Sequence, residues 1–420
     1  MSSERRWIVA QIGAREHYAV PRALHRKGAL RHLYTDAWCN WGQSLLRRAP
    51  DPLHSFANRY HPSIPADRVT AFTSWASAQR ARNWWKGIPS DEALYERFLE
   101  KGRGFGRRVR EALQRIDWEK KHSVFFGYDT GSLEVLRFLS ATDCFTILDQ
   151  MDPARVEKEL VLEEIERWPG WADVKPVLYE PYQERRQKEW ELASAVVVNS
   201  EWSKEALIKQ GVSGEKIHVV PLVYEPPTTL SNENKNNSGD EPLRVLWLGR
   251  VNLRKGIQYL VEAADTLKDE PITFNVVGPL KITEKAIRQA PSNMTFSGRV
   301  SRDETTDYYQ QADVFVLPTL SDGFAITQLE AMAHNLPVVT TPNCGRVVTD
   351  GDDGWVIPPR DAEALAQKLV CCVENRSQVR EMAQAARSTS EQYSLENVAD
   401  HLLSIPSSSR YGSTSLDLPH

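Results

Sequence analysis

The chain has 420 residues, with 41% hydrophobic and 26% charged side chains and a formal net charge of −4. That is the balance of an ordinary globular protein, long enough for two or three domains, and no stretch approaches the ~20 consecutive apolar residues that a membrane-spanning helix needs. Five scattered cysteines (Cys39, Cys144, Cys344, Cys371 and Cys372) with no Cys-x-x-Cys among them exclude a disulfide scaffold and fit a reducing cytoplasm.

In chain order, the apolar stretch 7–10 is too short for a secretory leader, and residues 6–12 read as a first strand. Gly13 and a helix over 19–27 follow. Residues 1–110 carry 20 Lys and Arg against 9 Asp and Glu, the rest of the chain 32 against 47. The basic stretch also holds six of the 13 tryptophans: Trp7, Trp38, Trp41, Trp75, Trp84 and Trp85. Such a surface suits an anionic membrane face or a phosphorylated acceptor; the other reading is a solvated surface over a tryptophan core. No zinc-finger spacing or other nucleic-acid module occurs, so nucleic acid is not an expected partner.

Residues 40–90 are irregular, and 98–116 reads as a basic amphipathic helix bent near its glycines at 102–106. Short β-branched or aromatic runs at 123–126, 145–148 and 195–198 read as strands. The charged helix at 157–167 is expected to present its acidic cluster to solvent. Residues 225–242 have almost no apolar content and mark a linker. The pattern then restarts: strands at 244–248, 273–277, 314–317 and 338–340, with helices at 256–267, 305–311 and 325–334. A helical run at 364–373 carries Cys371 and Cys372 as small core residues, and the tail after 407 is Ser-rich. Alternating strands and helices predict parallel sheets covered by helices. Each half is a doubly wound α/β unit, and the cleft between two such units can hold two substrates. The expected boundaries are 1–224, linker 225–242, 243–390, and a helix with tail at 391–420.

Two motifs carry chemistry. In Gly249-Arg250-Val-Asn-Leu-Arg-Lys255-Gly256 a strand passes through a glycine-flanked turn into a helix, and Arg250 and Lys255 place two cations beside the helix's positive end. That favours a diphosphate; a generic turn is the bland alternative. In Asp322-Gly323-Phe324-Ala325-Ile-Thr-Gln-Leu-Glu330 a helix is expected to open near Gly323. Asp322 then sits at the cap, the amides of Gly323, Phe324 and Ala325 are unpaired and anion-receptive, and Glu330 lies two turns on. Ribose hydroxyls would satisfy a carboxylate in so apolar a helix. The alternative is a plain N-cap and a buried ion-pair partner.

Together, with the separation between them, these motifs resemble those of the retaining GT-B glycosyltransferases of family 4 (glycosyl transferases group 1). The likeness extends to Phe296-Ser-Gly298-Arg299-Val300, Gly351-Asp-Asp-Gly354, Asn199-Ser200-Glu-Trp-Ser203 and Val219-Val-Pro221-Leu. Residues 391–403 resemble the family's last helix, which crosses back to the first domain, while the first 190 residues match loosely. The resemblance implies a GT-B fold: two Rossmann-like doubly wound domains facing across a cleft, an acceptor domain and a nucleotide-sugar domain. It implies that Gly249, Arg250 and Lys255 hold the diphosphate of a UDP-, GDP- or ADP-sugar. Glu330 would take the ribose, the backbone at Arg299 and Val300 the base, and Asp322 with Gly323, Phe324 and Ala325 the transferred sugar. Asp322 stands where the family has glutamate, a methylene shorter, and Ala325 where it usually has glycine.

In the first domain Gly13, Arg15 and His17 correspond to the family's loop after strand one. Arg15 and His17 are candidates to reach the acceptor or the diphosphate; a plain helix start is the other reading. No histidine occupies the family's mid-domain position, and Asp149 or Asp129 is expected to line the acceptor side instead. The implied activity is retaining hexosyl transfer to a polysaccharide, glycolipid or metabolite hydroxyl, with Arg250, Lys255 and Asp322 catalytic. No cofactor or metal is expected: Asp350-Gly-Asp352 spells a metal motif but reads as turn chemistry. The competing readings are a phosphorylase or epimerase on the same scaffold, for which no pyridoxal-lysine motif is seen; a non-catalytic nucleotide-sugar-binding protein; and a membrane-surface scaffold.

Overall fold

Trp7, Ile8, Val9 and Ala10 are all buried, as are Val196, Val197 and Val198. Runs apolar on both faces belong to parallel strands covered on both sides. The computed structural model, which describes residues 5–42, 46, 48, 56–85, 87, 90–226 and 241–408, shows two such sheets. The first joins β1 (Arg6–Gln11), β2 (Leu30–Thr35), β3 (Val69–Ala71), β4 (Ser123–Tyr128), β5 (Phe145–Gln150), β6 (Ala195–Val198) and β7 (Ile217–Val219) in the order β3-β2-β1-β4-β5-β6-β7. The second joins β8 (Leu243–Leu248), β9 (Ile272–Val277), β10 (Met294–Gly298), β11 (Val314–Leu317), β12 (Val338–Thr340) and β13 (Gly354–Val356) in the order β10-β9-β8-β11-β12-β13. All their pairings are parallel. Most of the linker expected over 225–242 (227–240) and the tail from 409 lie outside the described residues.

The first half carries helices α1 (Ala19–Arg26), α2 (Thr73–Trp85), α3 (Asp91–Gln114), α4 (Leu133–Leu139), α5 (Arg155–Arg167), α6 (Glu180–Leu192) and α7 (Glu201–Lys209). The second carries α8 (Ile257–Thr266), α9 (Glu284–Ile287), α10 (Thr305–Gln311), α11 (Thr327–Ala333), α12 (Ala362–Glu374), α13 (Arg376–Ser390) and α14 (Leu395–Ser408). Each sheet reverses strand order once, between β1 and β4 and between β8 and β11. Doubly wound folds bind ligands beyond the carboxyl ends of strands at such points.

Several expectations change here. The bend at 102–106 is absent, and α3 runs unbroken from Asp91 to Gln114. Its glycines serve close packing: a Cβ on Gly102 would strike the Thr130 carbonyl, and one on Gly104 would come within 2.8 Å of the Trp75 ring. Cys372 is buried, but Cys371 is exposed. The tryptophans divide: Trp7 lies in the core, whereas Trp41, Trp84 and Trp85 are 79%, 68% and 83% exposed. Among the described residues no helix is long and apolar enough to cross a membrane.

The acidic helix α5 is a solvated face only in part: Glu159 and Glu166 are exposed, but Glu164 turns inward. Glu164 is fully buried, accepting from Gln258 Nε2 at 2.9 Å, the Tyr259 hydroxyl at 2.8 Å and Arg360 Nε at 2.6 Å. All three partners belong to the second half. Just beyond α5, Trp171 is buried in the core around the second sheet. In return, Leu395, Val398, Ala399 and Leu402 of α14 pack into the first half's core beside Ala23 and Leu24 of α1. Each half therefore lends an element to the other.

Candidate functional site

The second sheet's reversal brings two loops together. After β8, Gly249 donates to the Val277 carbonyl at 3.0 Å, and a short turn at Leu253–Lys255 is capped by Asn252, whose Oδ1 accepts from Lys255 N at 3.1 Å. Gly256 closes that turn at φ 73°. A Cβ there would collide with the Pro318 carbonyl, so glycine lets the β8 and β11 loops touch. Lys255, 8% exposed, is thereby aimed at Asp322, with which it forms an ion pair.

Asp322 uses both oxygens. Oδ2 faces Lys255, with Arg254 at 3.6 Å. Oδ1 accepts from the amides of Phe324 at 3.1 Å and Ala325 at 2.8 Å. Burial pushes this carboxyl upward, but Lys255 and Arg254 override it and hold it down to about 2, so the group is a carboxylate at neutral pH. The expected anion-receptive amides at Phe324 and Ala325 are thus already taken by Asp322 itself. The helix also opens later than expected, at Thr327, because the loop makes an extra left-handed turn at Ala325, φ 63°. Glu330 accordingly sits in the first turn of α11, not two turns down. Its Oε2 accepts from the Tyr309 hydroxyl at 2.9 Å, and burial raises its carboxyl despite Tyr309 and Arg302. Its partner is a phenol rather than a cation.

Arg250 is exposed and makes no hydrogen bond or ion pair with the described residues. Arg299 is exposed and Val300 half-buried, directly after β10. Asp350 and Asp352 lie in the turn before β13, where Asp350 Oδ1 accepts from Val356 N at 2.9 Å. Among the described residues no group of three or more His, Cys, Asp or Glu gathers.

The facing wall is built on the first sheet's reversal. Gly13, at φ 92°, donates to Asp36 Oδ1 at 2.8 Å. Three successive residues, Glu16, His17 and Tyr18, then adopt left-handed φ of 47°, 50° and 62°, a strained conformation of a kind that clusters at functional sites. The Arg15 guanidinium donates to the Met151 sulfur and lies 5.5 Å from the Tyr128 ring centroid. His17 Nε2 accepts from Arg302 at 2.8 Å across the cleft. Asp149, at the end of β5, is raised well above the carboxylate range by burial and by Glu16. Glu16 itself is raised to about 7 by burial, against Arg15. Asp129, the other acceptor-side candidate, is buried and ion-paired with Arg186 at 2.9 Å.

Sequence reasoning missed the residues that join the walls. Arg254 bonds Glu157 Oε2 of α5 at 2.9 Å, Ser321 bonds the same oxygen at 3.2 Å, and Trp202 Nε1 donates to Ser321 Oγ at 3.1 Å. A Cβ on Gly323 would strike the Met151 carbonyl and come within 3.0 Å of Asn199 Nδ2, so the domains close upon Gly323. One signal was available: Glu157 and Glu164 are seven residues apart, on one helix face.

Residues 242–375 match the family model of glycosyl transferases, group 1. The chain is 28% identical over 201 residues to the amylovoran biosynthesis glycosyltransferase AmsK of Erwinia amylovora, covering 44% of this chain and 49% of that protein. It is 31% identical over 164 residues to the sulfoquinovosyl transferase SQD2 of Arabidopsis thaliana, 38% of this chain and 32% of that one. The chain thus spans half or less of the length of these curated relatives. Among solved structures it resembles sucrose-phosphate synthase from Thermosynechococcus elongatus, with a TM-score of 0.57 at 17% identity, covering 97% of this chain and 100% of that one. It likewise resembles Anabaena HepE, crystallised with UDP, with a TM-score of 0.60 at 14% identity, covering 96% and 100%. The fold is GT-B.

Proposed function

We propose that this chain is a glycosyltransferase that moves a sugar from a nucleoside-diphosphate sugar to an acceptor hydroxyl, with retention and without a metal. The observation that carries the reading is the Lys255–Asp322 pair at the second sheet's reversal, flanked by exposed Arg250 and by Glu330 at the start of α11. The group 1 match covers these residues, and a UDP-sugar is the first donor to test because the Anabaena relative was crystallised with UDP.

The hard step is departure of the nucleoside diphosphate, which gains negative charge while the sugar becomes oxocarbenium-like. Fixed cations aimed at that charge lower the barrier without reorganising. The ion pair with Asp322 fixes the Lys255 side chain in place, and Arg250 supplies a second cation from the rim. Sugar hydroxyls meet the Asp322 carboxylate, which two amides at Oδ1 and Lys255 at Oδ2 hold in position. Glu330 takes the ribose hydroxyls, and the backbone at Arg299 and Val300 meets the base. The acceptor lies against Arg15, His17 and Asp149, and its attacking hydroxyl passes its proton to the departing phosphate oxygen. We place the enzyme in the cytoplasm, touching an anionic membrane face through Trp41, Trp84 and Trp85.

Incubation with UDP-, GDP- and ADP-sugars and a panel of acceptor hydroxyls, with release of nucleotide measured, tests the reading. Acceptor-dependent release that persists in a chelator is the expected result. Nucleotide-sugar binding without release under any acceptor returns the chain to a non-catalytic binding protein.

A further inference from the structure

A cavity of about 500 Å³ opens between α5, α6 and the end of α7. Its volume falls within the roughly 300–1,000 Å³ typical of small-molecule sites. None of its lining residues belongs to the donor constellation or to the strained loop at residues 16–18.

On the α6 side of the cavity, Gln183, Gln187 and Trp190 fall on one helix face. Gln183 is 4% exposed, yet its side-chain amide makes no hydrogen bond to any described residue. Gln183 lines the cavity, so its amide offers two N–H donors and an acceptor oxygen to a ligand's hydroxyls. Trp190 is not free to meet polar groups with its N–H, because its Nε1 already donates to Gln150 at 3.0 Å. It offers the ring instead, and Leu160 of α5 adds a second apolar surface.

Charge identifies the ligand class. Arg155 at the edge is neutralised by Glu180 at 2.5 Å, and Glu163 by Arg360 at 2.8 Å. That leaves Lys209 and Glu159, one charge of each sign, beside the uncharged amides. No net field favours an anion or a cation. Amides and a carboxylate that bond hydroxyls, next to an indole and a leucine that cover C–H faces, match a neutral polyol ring.

We propose that this cavity is a saccharide-binding site, distinct from the donor cleft. Its outer edge is Glu163, which pairs with Arg360 of the second half, so an occupant would sit where α5 joins the two halves.

Saturation-transfer difference NMR on the full chain, with glucose, galactose, N-acetylglucosamine and maltotriose as probes and with or without excess UDP, tests this. The expected result is transfer to at least one saccharide that survives UDP and loses affinity roughly tenfold in Gln183→Leu. If circular dichroism shows that Gln183→Leu does not fold, the exposed rim double variant Glu159→Gln/Gln187→Ala must weaken the same signal several-fold. A saccharide signal that UDP abolishes, one unchanged in the folded variant, or silence from every probe overturns the proposal. UDP's own signal reports the donor site in the same sample, so failure there is read separately.

Discussion

The two walls of the cleft are built in opposite ways. The second-domain wall is made of groups that satisfy one another: Lys255 on Asp322, Asp322 on two amides, Tyr309 on Glu330. The first-domain wall is a strained loop with carboxyls pushed toward neutrality, Glu16 and Asp149. A site that stabilises a departing diphosphate needs fixed charge before the ligand arrives. A wall that receives a neutral hydroxyl compound does not, and tolerates carboxyls whose burial disfavours their charge.

The sharpest way to break this contrast is to remove the fixed charge. Lys255→Ala should lower turnover by roughly 10³-fold and also destabilise the fold by about 3 kcal/mol, since it strips the buried Asp322 of its principal cation. Arg250→Ala should lower turnover by roughly 10²-fold or more with the melting temperature unchanged, because Arg250 is exposed and without a partner among the described residues. Turnover and thermal melts on both variants check this; wild-type turnover in either refutes the assignment. Next comes the seam between the walls. Gly323→Ala should cut kcat by about 10²-fold, a cost typical of slight misplacement, while nucleotide binding measured by calorimetry persists.

A smaller effect concerns the outer surface of the first half. The double variant Trp84→Ala/Trp85→Ala should reduce co-sedimentation with anionic vesicles at low salt by at least roughly tenfold, and equal sedimentation removes the membrane contact. Glu16→Gln tests the loop itself. A carboxyl raised from 4.5 to about 7 in the fold stabilises the protein below pH 4.5, and that contribution is lost as pH rises through 7. The variant should therefore hold stability between these values better than the wild type, read by urea melts across that range. Last, Ala325→Gly should add about 1 kcal/mol of stability by relieving the left-handed φ at Ala325, measured by chemical denaturation.

How much of this was legible in the chain follows from how local each feature is. The alternation of apolar strands and helices, and the motif running from Gly249 to Gly256, depend on neighbours a few residues apart. The departure of Ala325 from a usual glycine was visible, but its cause, a left-handed turn that delays α11, was not. The same turn moved Glu330 to the start of that helix. Fates set by distant packing were hidden. Asp129 is claimed by Arg186 from another helix, and three glycines of α3 serve approach rather than a bend. Composition alone could not sort Trp7 from Trp84. Within the acidic run of α5, Glu159 and Glu166 do face solvent, whereas Glu164 was hidden for the same reason: solvent and a buried glutamine–tyrosine–arginine nest are alternatives that only tertiary structure separates.

The reciprocal loan between the halves bears on how such proteins are recombined. A polypeptide begun at the linker would lack Trp171 and leave Gln258, Tyr259 and Arg360 without Glu164, and one ended there would bare the surface that α14 covers on α1. A chimera that grafts a foreign first lobe onto this second lobe must carry α5 and Trp171 along with the second lobe. A crossover placed at the obvious polar spacer would sever both lobes from pieces of their own interiors.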